Sequence, residues 1–169
     1  MLIYLDANIV QYCADFNGYL FGDSRDCPVS QSHCWLRCEL EALRELIELD
    51  QHGHWDFAAP EELLHELYRG RPRPEQKKTY PILERATMAP QPDPRRVDNV
   101  SASLIGLGLS RADRRHLASA VVMGASWFIT CDQEIVRRVA RSLKGRIDST
   151  YVAHPSSAVQ EIRVGLSLK

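Results

Sequence analysis

The sequence predicts an α/β fold with a mostly parallel central sheet. Short apolar runs alternate along the chain with longer segments of helical period, an order typical of parallel sheets covered by helices. The first run, LIYL at residues 2–5, is apolar throughout, as in strands that are buried on both faces. The chain has 169 residues, a length that suits one domain, so we expect residues 1–169 to form a single domain.

The order of the elements follows from periodicity and from start and stop signals. We predict strands at residues 2–5, 55–58, 126–130 and 147–152, and helices at residues 7–14, 35–51, 60–68, 97–106, 110–123, 133–143 and from 155 onwards. The helix at 110–123 has clear signals, because Ser110 is a good N-cap and Gly124 lies just past its end. Two segments, 15–34 and 69–96, contain the glycines and prolines typical of loop insertions. Within the second we expect a short helix near 74–79 and a short strand.

Composition argues against several classes of protein. No apolar run approaches the roughly 20 residues that span a bilayer, so we expect no membrane segment. The N-terminal stretch MLIYLDANIV lacks the basic region of a signal peptide, which favours a cytoplasmic location. Five cysteines, an odd number, argue against a disulfide framework. The spacing of Cys27, Cys34 and Cys38 matches no zinc knuckle, so we interpret them as reduced, partly buried thiols.

Charge is divided unevenly along the chain, although the net charge is only −1. Residues 1–68 contain 13 acidic and 3 basic side chains, whereas residues 69–169 contain 9 acidic and 18 basic ones. An acidic half beside a basic half favours a carboxylate cluster next to a surface that attracts a polyanion. The alternative is that both sets are ordinary solvated surface residues.

Three aspartates stand where a parallel sheet would place a functional site. Asp6 and Asp132 each follow a predicted strand, and ligands of such sheets usually bind outside the carboxyl ends of the strands. Asp113 heads the helix at 110–123 in line with its apolar stripe, which directs the carboxylate toward a partly desolvated crevice. Each aspartate also has a simpler interpretation as a helix cap. We favour function, because three caps would otherwise have to converge on one edge of the sheet.

A fourth carboxylate is expected from the helix at 60–68, where the helical wheel does not choose between Glu61, Glu62 and Glu66. Clustered carboxylates repel one another unless protons or cations neutralise them. At neutral pH the cations that match oxygen ligands are Mg²⁺ and Mn²⁺, which activate water and stabilise charge on a phosphate. The acids therefore indicate metal-dependent chemistry at a phosphate.

The sequence resembles the PIN domains, and most of all the VapC-type toxin ribonucleases. The matching stretches are IYLDANIV at 3–10, FAAPEELLHEL at 57–67 and DRRHLASAVVMGASWFITCD at 113–132, together with the order of strands and helices. The resemblance implies a three-layer α/β/α sandwich, often dimeric, and a ribonuclease activity that depends on Mg²⁺ or Mn²⁺. For toxin members it also implies a small antitoxin protein as partner.

By position, the resemblance implies four catalytic acids, Asp6, Glu66, Asp113 and Asp132, of which the three aspartates bind the metal. Glu66 is preferred because it precedes Leu67 in the family's usual position, and Glu62 is the alternative. Two polar residues, Asn8 and Thr130, match neighbours of the site that orient ligands or water. Basic residues in the second loop are expected to contact RNA: Arg69, Arg71, Arg73, Lys77 and Lys78.

The sequence departs from the compact toxins in its longer segments at 15–34 and 69–96, which bear on the toxin role more than on fold or chemistry. We expect a metal-dependent endoribonuclease, with toxin activity as the narrower expectation and a non-toxin RNA-processing nuclease as its alternative. From a different class, the alternative is a catalytically silent PIN-like binding or scaffold module. His116 lies on the edge of the Asp113 stripe, and we expect it to be packed or hydrogen-bonded rather than catalytic.

Overall fold

A computed structural model describes residues 1–50, 56–58, 60, 63–64, 66–67, 82, 86–87 and 91–167. Within these ranges the strands are β1 (Leu2–Leu5), β2 (Asp56–Ala58), β3 (Ala86–Thr87), β4 (Trp127–Ile129), β5 (Arg146–Ile147) and β6 (Thr150–Ala153). The helices are α1 (Ala7–Asp15), α2 (Asn17–Leu20), α3 (Cys34–Asp50), α4 (Pro94–Ser103), α5 (Arg111–Val122), α6 (Gln133–Leu143) and α7 (Pro155–Ser167). Residues 63–64 and 66–67 are also helical, and short 3₁₀ helices lie at Gln31–His33 and Ile105–Leu107.

The described strands form one sheet in the order β3-β2-β1-β4-β6-β5. The pairs of β1 with β2, β1 with β4, β2 with β3 and β4 with β6 are parallel, whereas β5 and β6 pair antiparallel at one edge. The prediction of an α/β fold with a mostly parallel sheet is therefore confirmed.

Side chains of the central strands alternate between two separate apolar cores. Ile3 and Leu5 of β1 point into a first core with residues of α1, α2, α3 and α7, whereas Tyr4 points into a second core with residues of α5 and α6. Strand β4 alternates in the same way, with Ile129 in the first core and Phe128 in the second. Helices therefore cover both faces of the sheet, an arrangement compatible with a three-layer α/β/α sandwich.

The loop predicted at residues 15–34 is wrong in part, because it contains α2 and a 3₁₀ helix directly before α3. Tyr19 and Leu20 of α2 are buried and belong to the first core. The glycines that suggested a loop flank these apolar side chains, and burial of the apolar side chains stabilises the helix against that local preference.

Two other predicted boundaries differ from the structure. The helix predicted at 97–106 begins at Pro94 and ends at Ser103, because Asp93 is its N-cap and proline suits the first turn. The strand predicted at 147–152 is two antiparallel strands, β5 and β6, joined by a tight turn. Asp148 makes this turn in the left-handed region at φ 53°, which aspartate tolerates better than most residues.

Several other expectations can be compared with the structure. The predicted N-cap Ser110 and its helix are confirmed at α5, and a short strand of the 69–96 segment is present as β3. The predicted helix near 74–79 and much of the one at 60–68 lie outside the described residues. Cys34 and Cys38 are exposed rather than partly buried. No helix in the described ranges has both the length and the apolar character that crossing a bilayer requires.

A buried carboxylate joins two helices that pack against each other on the first core, α3 and α7. Glu39 of α3 is only 4% exposed, and its two oxygens accept hydrogen bonds from the backbone N–H and the hydroxyl of Ser156, at 2.9 and 2.8 Å. Ser156 lies in the first turn of α7, where backbone N–H groups have no partner within the helix. Glu39 therefore caps α7 from a distant part of the sequence and also places negative charge at the positive end of its dipole.

We expect Glu39→Ala to lower the free energy of unfolding by about 2 kcal/mol, because a buried helix-end donor then has no acceptor. Urea unfolding followed by circular dichroism measures this loss. The matched control is Glu41→Ala on the same helix, where the side chain is exposed and pairs with Arg37 in solvent. Equal stability losses in the two variants would show that the Glu39 cap contributes nothing specific.

Candidate active site at the carboxyl ends of β1 and β4

The candidate site lies at the point where the order of the strands across the sheet reverses, between β1 and β4. From β1 the chain builds outward through β2 and β3, and then returns to place β4 on the other side of β1. Ligands in sheets of this kind bind in the crevice that such a reversal leaves outside the carboxyl ends of the strands. Asp6 follows β1, and Thr130, Cys131 and Asp132 follow β4 at this edge. Leu5 is in register with Ile129, so the residues after them face each other.

Asp6 is a buried carboxylate, only 8% exposed, at the N-cap of α1. One oxygen, Oδ1, accepts a hydrogen bond from the backbone N–H of Ala7 at 2.9 Å. The other, Oδ2, accepts from the Asn8 amide and from the Thr130 hydroxyl, both at 2.7 Å. Burial raises the pKa of the Asp6 carboxyl above its ordinary range, and the Thr130 hydroxyl, the nearby His116 ring and the Ala7 N–H oppose this rise. The same pKa is raised further by the charge of Glu66.

Asn8 and Thr130 connect the ends of the two strands through their side chains. The Asn8 amide nitrogen donates to Asp6 and, at 3.0 Å, to the Thr130 hydroxyl oxygen, while the Asn8 carbonyl oxygen accepts from the backbone N–H of Cys131 at 3.0 Å. Thr130 is fully buried, and its hydroxyl oxygen also accepts from the backbone N–H of Asp132 at 2.9 Å. The supporting role predicted for both residues fits these contacts, since they orient Asp6 and the backbone that carries Asp132.

Asp132 is half-buried and caps α6, as one of its two interpretations predicted. Its Oδ1 accepts from the backbone N–H groups of Glu134 and Ile135 at 2.7 and 3.1 Å. Its Oδ2 accepts no hydrogen bond from any part of the chain that the structure describes. The cap therefore fixes the orientation of the carboxylate and leaves one oxygen for another ligand.

Glu66 contacts a buried histidine of α5, His116. The Glu66 carboxylate oxygen Oε2 pairs with Nε2 of His116. The other ring nitrogen of His116, Nδ1, lies 2.6 Å from the hydroxyl oxygen of Tyr4. His116 and Tyr4 are buried, whereas the Glu66 side chain is 47% exposed. The expectation that His116 is packed and hydrogen-bonded is confirmed. Sequence reasoning missed Tyr4, whose position in an apolar strand gives no sign that its hydroxyl has a partner.

Asp113 makes a capping box with Ser110 at the start of α5. The backbone N–H of Asp113 donates to the Ser110 hydroxyl at 3.1 Å, and the backbone N–H of Ser110 donates to Asp113 Oδ2 at 3.2 Å. The capping interpretation of Asp113 is thus confirmed. The side chain is half-buried and lies one helical turn before His116, which places both on the same face of α5.

The structure brings some of the predicted site residues together and leaves others apart. Asp6, Asn8 and Thr130 form one hydrogen-bond network with the backbone of Asp132, and Glu66 lies near enough to Asp6 to affect its pKa. Within the described ranges, no group of three His, Cys, Asp or Glu side chains is arranged to hold a metal ion. The convergence of all four acids on one ion therefore stays a prediction.

The remaining predicted residues cannot be compared with the structure. The alternative acids Glu61 and Glu62 lie outside the described residues. The basic residues expected to contact RNA lie outside them as well: Arg69, Arg71, Arg73, Lys77 and Lys78.

Comparison of the chain with protein-family models, with curated proteins and with solved structures finds no match. The resemblance to PIN domains consequently depends on the sequence motifs described above.

The hydroxyl of Thr130 should lower the pKa of the Asp6 carboxyl and so oppose the effect of burial. We expect Thr130→Val to raise the pKa of the Asp6 carboxyl further, because a donor to the ionised form is lost while burial stays. It should also lower the free energy of unfolding by about 1–3 kcal/mol, since the Asp132 N–H loses its acceptor. Carbon-13 NMR titration of the carboxyl groups and urea unfolding measure the two effects.

The stability loss should be larger at neutral pH than well below pH 3.8, where Asp6 is protonated in both the folded and the unfolded chain. The matched control is Thr150→Val, because Thr150 is equally buried but its hydroxyl donates to the Ala125 carbonyl oxygen at 2.7 Å, away from the site. That variant should lose stability and leave the Asp6 titration unchanged. An unchanged Asp6 titration in Thr130→Val as well would refute the proposed coupling.

Proposed function

We propose that the protein is a metal-dependent endoribonuclease that hydrolyses RNA phosphodiester bonds at this site. The observation that carries the proposal is the buried carboxylate of Asp6, which polar donors surround and which pairs with no lysine or arginine among the described residues. A buried carboxylate without a cationic partner is costly to keep, and its pKa is raised accordingly. A buried group whose pKa is perturbed in this way, at the strand ends of a parallel sheet, is a candidate for a functional site.

The donor chemistry of the site fits Mg²⁺ or Mn²⁺. Carboxylate oxygens are the ligands that these hard ions prefer, and Asp132 Oδ2 accepts no hydrogen bond within the described structure. Proteins usually bind Mg²⁺ through one or two carboxylates together with substrate phosphates and water, rather than in a complete protein cage. A site with no ready group of three donors is compatible with this mode of binding.

The resemblance to PIN domains suggests a role for each acid. Asp6, Asp132 and Asp113 would hold the ion, which when bound lowers the pKa of a coordinated water and stabilises charge on the phosphate. Asn8 and Thr130 orient the Asp6 carboxylate through hydrogen bonds to Oδ2. Glu66 would position the attacking water, and His116 fixes its carboxylate. For Asp113 this role requires an oxygen other than Oδ2, which accepts from Ser110.

RNA is the substrate that the resemblance and the charge pattern favour. Residues 69–169 contain 18 basic side chains against 9 acidic ones, an excess that attracts a polyanion. The acids alone would repel nucleic acid, so metal and basic residues would both strengthen RNA binding at this edge.

Two observations favour the alternative of a catalytically silent PIN-like binding or scaffold module. Asp113 is engaged in its capping box, and three metal-binding groups are not assembled within the described structure. A silent module would bind no divalent ion at these acids and would cleave no RNA, whereas the proposed enzyme does both.

We expect cleavage of single-stranded RNA to require Mg²⁺ or Mn²⁺ and to be lost in EDTA. Asp6→Asn and Asp132→Asn should each lower kcat/KM at least about 100-fold, because each removes a charged ligand of the ion. Gel assays of a labelled oligoribonucleotide measure this loss. The matched control is Asp148→Asn, in the turn between β5 and β6 at the edge of the sheet, where asparagine tolerates the same backbone conformation.

Full metal-dependent cleavage by Asp6→Asn would show that the site is assigned wrongly. Absence of cleavage of any RNA, with no Mn²⁺ binding by calorimetry, would favour the scaffold module instead. Calorimetry of Asp132→Asn completes the test, since loss of Mn²⁺ binding there ties the ion to the open Asp132 oxygen.

Three narrower expectations, toxin activity, an antitoxin partner and a homodimer, depend on the resemblance alone. Expression that arrests growth with the wild-type chain and not with Asp6→Asn would favour a toxin over an RNA-processing nuclease. Co-purification with the product of an adjacent short reading frame would identify an antitoxin. Light scattering after size-exclusion chromatography distinguishes a homodimer from a monomer.

A further inference from the structure

The ring of His154 supplies a hydrogen-bond donor that the backbone of β6 lacks. Strand β6 runs parallel to β4, and the backbone N–H of Thr130 donates to the carbonyl of Ala153 at 3.1 Å. Continuing this ladder, the Thr130 carbonyl would accept from residue 155, but proline has no N–H. His154 Nδ1 donates to the Thr130 carbonyl oxygen instead, at 2.9 Å. Because a carbonyl oxygen only accepts, this bond fixes the hydrogen of the ring on Nδ1.

Trp35 packs against this fixed ring from the first turn of α3. The two rings meet edge to face, with centroids 5.7 Å apart and planes at 83°. Trp35 is 37% exposed and belongs to neither apolar core, although tryptophan usually buries more of its surface. An indole that is positioned by a neighbouring ring and still open to solvent is available for another flat group.

The Trp35–His154 pair is connected to the candidate site through Thr130, whose carbonyl oxygen accepts a hydrogen bond from His154. Thr130 donates its hydroxyl hydrogen to Asp6 Oδ2 and accepts from His154 through its carbonyl oxygen. The same residue thus orients the buried carboxylate and the aromatic pair at the carboxyl ends of β4 and β6.

We propose that Trp35, held by His154, forms a stacking subsite for a base of single-stranded RNA beside the acidic site. This inference rests on the proposed function. Aromatic side chains next to a phosphate-binding site are the usual platform for unpaired bases, since every base has a flat face to stack. Trp35 binds the base, and His154 is a positioning residue that orients the indole.

The test compares Trp35→Leu, which keeps apolar bulk and removes the aromatic face, with Trp35→Phe, which keeps an aromatic ring. In EDTA, fluorescence anisotropy of a labelled mixed-sequence single-stranded RNA should show a roughly 10-fold higher Kd for Trp35→Leu. Trp35→Phe should retain most of the affinity. With Mn²⁺, Trp35→Leu should raise KM and leave kcat nearly unchanged, because it removes binding that ground state and transition state share.

Two further variants serve as controls. Tyr151→Ala removes another exposed aromatic residue, which stacks on Trp127 at 5.0 Å near the start of β6, and should leave Kd unchanged. His154→Asn keeps an amide donor for the Thr130 carbonyl and removes the ring, so it should raise Kd in the same direction as Trp35→Leu.

The outcomes separate the subsite from the enzymatic function. An unchanged Kd and KM in Trp35→Leu, with cleavage by the wild type, overturns the subsite alone. An equal loss of affinity in Tyr151→Ala also overturns it, because binding is then not specific to Trp35. A wild-type chain that neither binds nor cleaves RNA overturns both proposals.

Discussion

The parallel pairing of β1 with β4 is the constraint on which the candidate site depends. The backbone N–H of Asp6 donates to the Ile129 carbonyl at 3.0 Å, so the ladder continues one residue past the end of β1 and holds Asp6 opposite Thr130. Side chains alternate between the two faces of a sheet, so a slip by one residue would turn Asp6 toward the other core. Ile3 and Leu5 pack into the first core and Tyr4 into the second, and this packing therefore fixes the position of Asp6 together with the register of the strand.

Burial of the ionised Asp6 carboxylate lowers the free energy of unfolding. Its raised pKa means that the ionised form is less favourable in the folded chain than in water, and the hydrogen bonds to Oδ1 and Oδ2 only partly offset this. Glu39 is likewise buried at a helix N-terminus with both oxygens bonded, but both of its donors belong to one residue, Ser156. The donors to Asp6 come from residues that follow two neighbouring strands. The hydrogen bonds of Asp6 therefore join the ends of two strands, whereas those of Glu39 cap one helix.

Local patterns in the sequence were sufficient for the fold class, for the caps and for the strand ends that carry Asp6 and Asp132. They were not sufficient for contacts between residues far apart in sequence. Nothing near Tyr4 indicates that its hydroxyl meets His116, and nothing near His154 indicates that it replaces a ladder donor except the proline that follows. Such pairings depend on tertiary packing, which a short window of sequence does not contain.

Capping and ligand binding are compatible at this edge, and together they favour a particular ligand. Asp6 caps α1 and Asp132 caps α6, so the positive ends of two helix dipoles meet the carboxylates here. Helix N-termini attract anions such as phosphate, whereas carboxylates attract cations. In the proposed enzyme, a divalent cation would bind the carboxylates and a phosphate would approach the helix N-termini. On this argument an RNA phosphate would complete the coordination of the metal in the proposed enzyme, as expected of a site that lacks three assembled donors within the described structure.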